Sequence, residues 1–229
     1  MKYTVVLTSL LLIFLFGCNS STTSDESNEK TFVSLYVRYL EAERDLKATA
    51  TILQGSEIGN ARSVKAAEPV FLNGQAMQER KLPEKIYRYT LQDNGLAYPQ
   101  NFNYNFRLPN GQKNDIAVQM ESVANFFVDS LCNKKEGLSL QLNSTFSAEE
   151  SVVVLYTDAN NKAHALEING DQITEEPMLL SPAQIADWPS GKGNIYLVKK
   201  SRTVTTNEDT VIESNVEYYG ETRELELVE

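Results

Sequence analysis

From residue 32 onward, apolar and polar positions mostly alternate with a period of two, the signature of half-buried β-strands. Val33, Leu35, Val37 and Tyr39 alternate, and so do Leu46, Ala48, Ala50 and Ile52, with Thr49 and Thr51 between them. Two antiparallel strands are expected, about 32–40 and 45–53, joined by the charged turn Glu41–Arg44. A single long helix is the alternative. Val33, Tyr36, Val37 and Leu40 also fit helical spacing, and Glu41-Ala-Glu-Arg-Asp-Leu46 has helix-forming composition.

Turn signals punctuate the next stretch at Gln54-Gly55-Ser56, Asn73-Gly74, Asp93-Asn94-Gly95 and Pro109-Asn110-Gly111. Asn and Gly tolerate the positive φ that tight turns need. Between the turns lie short strand-forming runs at 69–72, 86–91, 102–106 and 116–120. After a reset near residue 122 the pattern resumes at 138–142, 152–156, 163–168, 195–198 and 211–228, with a turn at Asp158-Ala-Asn-Asn161. Regular short strands separated by turns predict an all-β chain of β-sandwich type. One short helix is expected at 181–188: Ser181 as N-cap, Pro182 at the first helical position, Gln184 three residues after the cap, and Pro189 as the stop. A short helix followed by Gly191-Lys-Gly193 and a strand resembles the immunoglobulin-like domains of envelope lipoproteins over about 123–229. That resemblance implies architecture only. The expected organisation is 31–122 as one β-sandwich domain and 123–229 as a second, immunoglobulin-like one.

The N-terminus has a different pattern. Met1-Lys2-Tyr3 carries one positive charge, and Val5 to Phe16 is apolar apart from Thr8 and Ser9. A run this short is below the roughly 20 residues that span a bilayer, and it reads as an export signal over 1–17. Leu15-Phe16-Gly17-Cys18 resembles the lipobox of bacterial lipoproteins, with Phe16 where a smaller residue is usual. The resemblance implies cleavage between Gly17 and Cys18 and lipidation of Cys18. More than one acyl chain gives stable anchoring. Residues 19–30 contain no apolar side chain, so 18–30 is expected to be a flexible tether. Its Ser24-Asp-Glu-Ser27 core resembles the acidic post-cysteine stretches of some Bacteroidetes lipoproteins, and a plain polar spacer is the alternative. Asn19 after the cysteine leaves outer-membrane sorting open, which makes the outer membrane of a bacterial envelope the expected location, with the leaflet undefined.

Charge narrows the partners. The full chain has 21 Lys+Arg against 31 Asp+Glu, and removing residues 1–17 takes away only Lys2, for a formal charge of −11. An acidic chain without a basic cluster repels phosphate backbones, so nucleic acid is not an expected partner. With Cys18 committed to lipid, Cys132 stands alone and no intramolecular disulfide can form. Cys132 follows the mostly apolar run Phe126–Leu131, and a buried, inert thiol is expected there.

Chemistry is sparse. The single histidine, His164, cannot build a histidine-based zinc site or a Cys/His pair by itself. No nucleophile-elbow, zincin, phosphate-loop or dinucleotide fingerprint occurs. Glu149-Glu150 and Glu175-Glu176 are adjacent, so in a strand their side chains diverge, and solvated charge is the expected role. Asp158, Asn160 and Asn161 are calcium candidates at short spacing, in a loop whose composition equally fits an ordinary hairpin turn. Tyr98, Phe102 and Tyr104 alternate with Asn and Gln, the composition of a sugar-stacking surface, and Trp188 is a further candidate ring. The competing expectation puts Phe102, Tyr104 and Phe106 on one buried face and makes Trp188 a core plug.

Taken together, the expected function is a lipid-anchored, non-enzymatic envelope protein that binds or assembles with another envelope protein and uses no cofactor. The alternatives are a glycan-binding surface lipoprotein and a hydrolase whose carboxylate site is too dispersed to read in sequence.

Overall fold

A computed structural model describes residues 29–174 and 176–229. The expected export signal, the Gly17–Cys18 junction, most of the expected tether and Glu175 lie outside the described residues. Eighteen strands run through them. The N-terminal half holds β1 (Lys30–Leu40), β2 (Asp45–Gly55), β3 (Arg62–Ser63), β4 (Phe71–Leu72), β5 (Gln75–Ala76), β6 (Gln78–Lys81), β7 (Tyr87–Asn94), β8 (Asn101–Arg107) and β9 (Lys113–Gln119). The C-terminal half holds β10 (Phe127–Val128), β11 (Leu131–Asn133), β12 (Leu138–Gln141), β13 (Glu150–Asp158), β14 (Ala163–Asn169), β15 (Met178–Leu180), β16 (Gly191–Asn207), β17 (Thr210–Tyr219) and β18 (Arg223–Val228).

The all-β sandwich expected from the pattern is what forms. The hairpin over 32–53 is two strands, with Leu40 opposite Asp45 across the charged turn. Asn73 (φ 47) and Gly74 (φ 81) make the two-residue turn between β4 and β5, where both central residues need positive φ.

The layers do not divide at residue 122. β1 pairs in parallel with β17 over ten residues, Thr31 opposite Thr210 through Leu40 opposite Tyr219. One large sheet therefore crosses the chain, in the order β14–β13–β16–β17–β1–β2–β7–β6. β18 continues beyond β17 along the same edge of β16, and β11 pairs in parallel with β18. Two smaller sheets, β5–β4–β8–β9 and β10–β12–β15, face it. Core positions of all three form one buried cluster, including Leu35, Val37, Ala50 and Tyr218 from the large sheet, Phe102 and Tyr104 from β8, and Leu138 and Leu140 from β12. Cutting at 122 strips β1 of β17 and halves this core. Expressed separately, 31–122 and 123–229 are expected to lack the cooperative melt of the intact chain, which circular dichroism would check; two independent sharp melts would contradict the shared sheet.

The expected helix at 181–188 is replaced by two consecutive turns. Gln184 N–H donates to Ser181 O (3.0 Å) and Trp188 N–H donates to Ile185 O (3.0 Å), both i+3 contacts. Gln184 Oε1 does accept the Ser181 N–H (2.9 Å), as a capping residue would. With Pro189 as a stop and both Ile185 and Trp188 drawn into the core, the segment does not continue into an α-helix.

Candidate functional site

The two ends of β16 differ in what surrounds them. At its Asn207 end the chain enters β1, and Thr31 N–H donates to Asp209 O (2.7 Å) in the tip that joins β16 to β17. Lys30, expected in the tether, is already paired with Gly55. Seventeen residues at about 3.3 Å each make β16 roughly 55 Å long, so its Gly191 end is remote from Lys30 at the start of β1.

An open cleft of about 640 Å³ lies at that remote end, lined by Lys192, Asn194, Glu224 and Glu226 and walled by the 158–161 turn. Leu131 on β11 lines it too, and also lines an adjoining hollow of about 230 Å³ together with Cys132 and Leu179. Leu179 sits opposite Ser139 and Phe127 opposite Gln141, which places both on the same outward face of β12. Phe127, Leu131 and Leu179 are 59%, 60% and 61% exposed. Three large apolar side chains thus gather on one surface. Composition alone, mostly apolar over Phe126–Leu131, does not show that strand parity turns Phe127 outward while Phe126 and Val128 turn in.

The calcium candidates form the turn itself. Asp158 Oδ1 accepts the N–H groups of Asn160 (2.8 Å) and Lys162 (2.9 Å), and Asn161 takes φ 60. These backbone amides, first that of Lys162, hold the Asp158 carboxyl below the usual carboxylate range. No group of three or more His, Cys, Asp or Glu side chains positioned to hold a metal occurs among the described residues. His164 is half-buried beside the turn, its Nε2 3.6 Å from Asp158 Oδ2 and without a hydrogen-bond partner among the described residues.

The aromatic candidates are packed inside. Phe102 and Tyr104 are fully buried, and Trp188 stacks on Tyr156 at 5.3 Å and 11°. Tyr98 lies edge-on to Tyr218 at 4.9 Å, and its hydroxyl donates to Met120 O (3.1 Å). None of the four offers a free ring face, so the stacking surface on which the glycan reading rests is absent from this stretch. The alternation that suggested it reflects the inward phase of β8, with Asn101 and Asn103 facing out. Cys132 is buried, its Sγ 3.0 Å from Gly137 O, and burial pushes the thiol up, away from nucleophilic character.

One charged cluster is absent from the sequence-derived candidates. Lys199 is completely buried on the inner face of β16. Its Nζ donates to Thr145 O (2.6 Å) and Ser144 Oγ (3.1 Å), lies 3.3 Å from Glu150 Oε1, and sits 4.3 Å from the centre of the Phe146 ring. Burial holds the ammonium below its ordinary value, against the pull of Glu150. Glu150, read as solvated, is thus an inward ion-pair partner, and Glu176 accepts the Leu142 N–H at 3.1 Å. Glu121 clasps the same loop through Thr145 Oγ1 (2.7 Å) and N (3.2 Å). The available signal was phase: Ile195, Leu197 and Lys199 share one parity. Three of the ammonium's neighbours, Ser144, Thr145 and Phe146, belong to one loop and the fourth, Glu150, opens β13, which makes the cluster a strap holding 144–146 on the large sheet.

No protein-family model matches the chain, and no curated protein matches it.

Proposed function

We propose that the chain is a lipid-anchored, non-enzymatic protein of the bacterial cell envelope, held to the membrane through Cys18 and acting as a binding or assembly module for another envelope protein. The observation that carries the reading is the apolar surface of Phe127, Leu131 and Leu179. Large apolar side chains exposed together mark interaction sites, and aromatic and aliphatic anchors of this kind dominate interface energetics. Leu131 lies near the Gly191 end of β16, so a tether from Lys30 leaves this surface turned away from the anchored end. The adjoining cleft supplies the polar rim that such an interface needs, through Lys192, Asn194 and Glu224.

Affinity purification of the full chain from its own cells tests the proposal. A stoichiometric partner is expected with the native chain and with Ile58→Asp, which changes an exposed apolar residue elsewhere. The combination Phe127→Asp and Leu179→Asp should lower recovery by about tenfold or more, the effect expected of a hot spot. Cys18→Ala should move the chain from membrane to soluble fractions. Equal recovery with the paired substitution would remove the surface from the account.

A further inference from the structure

Two lateral edges of the large sheet, β6 and β14, are not alike. At one side β6 is four residues long and reads Gln78-Glu-Arg-Lys81, all exposed, the short charged edge that discourages strand addition. At the other side β14 is seven residues long, Ala163-His-Ala-Leu-Glu-Ile-Asn169, with one charge.

The hydrogen-bond phase of β14 follows from its neighbours. Asp158 N–H donates to Lys162 O, and Arg202 N–H donates to Glu149 O. Odd-numbered residues of β13 therefore bond to β16 and even-numbered ones to β14, through His164, Leu166 and Ile168. The N–H and C=O groups of Ala163, Ala165 and Glu167 point away from the sheet. No described residue pairs with them, and all three side chains are exposed. At the far end Asn169 N–H is closed off by Gln172 Oε1 (3.2 Å).

We propose that this edge pairs with the same edge of a second copy of the chain, antiparallel, about a two-fold axis through Ala165. In that register Ala165 faces its own copy, and each Glu167 faces the Ala163 of the other chain, so no like charges oppose each other. On the inner side Leu166 faces His164, covering two side chains that the single chain leaves half-buried. The three outward residues are centred on Ala165, so both partners bring the same donors and acceptors, as an isologous interface requires. The small side chains at 163 and 165 put no bulk in the way of the approaching backbone.

The test uses the full chain, purified in detergent, with its protein mass measured by light scattering at tens of micromolar. Twice the chain mass is expected. Ala165→Cys should give a disulfide-linked dimer on mild oxidation. Glu167→Cys alone should not, whereas a mixture of the Ala163→Cys and Glu167→Cys chains should. Ala165→Pro removes only an outward N–H, so it should keep the native circular dichroism and run at the mass of one chain. A native protein that runs as one chain overturns the proposal. So does a dimer that survives Ala165→Pro and fails to cross-link at Ala165→Cys, since that dimer uses another surface.

Discussion

Raising the pH from about 9 to 11 is expected to remove a large part of the folding free energy. Tyr98, Tyr104 and Tyr218 all have hydroxyls pushed well above the ordinary tyrosine value, in each case first by burial. Tyr218 also donates to Glu41 Oε2 at 2.7 Å, and its ring stacks on Tyr39 at 5.7 Å. The folded protein keeps these protons while the unfolded chain releases them above pH 10.0, the unperturbed value. Their stabilising effect is complete below that pH and is lost as pH rises above it. One unit above the unfolded value each group costs about 1.4 kcal/mol, so three cost about 4 kcal/mol against a typical total of about 5–15 kcal/mol. Lys199 acts in the opposite sense. Its depressed value means that the unfolded chain holds the extra proton just below the ordinary lysine range, and stability rises with pH there. One lysine against three tyrosines leaves the tyrosines in control. Urea unfolding at pH 8, 10 and 11, followed by fluorescence, should show the fall, and Tyr218→Phe should flatten it. A midpoint that does not move over that range would contradict the buried tyrosine packing.

Lys199→Ala is expected to cost about 3–5 kcal/mol, the range for breaking a buried ion pair from one side. The substitution leaves Glu150 without its cation, Thr145 O and Ser144 Oγ without their donor, and a void where the lysine stem packed between the layers. Lys199→Met restores the stem volume and still leaves Glu150 unpaired. Combined with Glu150→Gln it should recover most of the loss, because an apolar stem beside a neutral amide avoids the desolvation that the ion pair pays for. A double-mutant cycle in urea measures the coupling directly. A loss under about 1 kcal/mol for Lys199→Ala, the level of an exposed pair, would mean that the ammonium is hydrated rather than strapped.

Local alternation carried the strand positions well. The 32–53 hairpin, the Asn73-Gly74 turn, the inward phase of β8 and the hairpin at Asp158–Asn161 were all legible, because period-two burial and positive-φ turns leave local marks. Pairing between β1 and β17 leaves none: the two strands are about 180 residues apart, and their register depends on which faces meet in the core. That is why a boundary near 122 looked reasonable although the sheet runs through it. The helix at 181–188 failed for a related reason. Ser181, Pro182 and Gln184 were good start signals, but core contacts of Ile185 and Trp188 overrode them. At the surface the same limit applied: the mostly apolar composition of Phe126–Leu131 does not reveal which way a two- or three-residue strand faces, so the exposure of Phe127 and Leu131 was not legible.

A photo-activatable cross-linker at Leu131, introduced into the full chain in its own cells, tests the central claim most directly. The account predicts one discrete protein adduct from the membrane fraction, lost when Cys18 is replaced by Ala, and no such adduct when the cross-linker stands at Ile58. A folded, anchored protein that yields no adduct at Leu131, or the same adducts at Ile58, would contradict it.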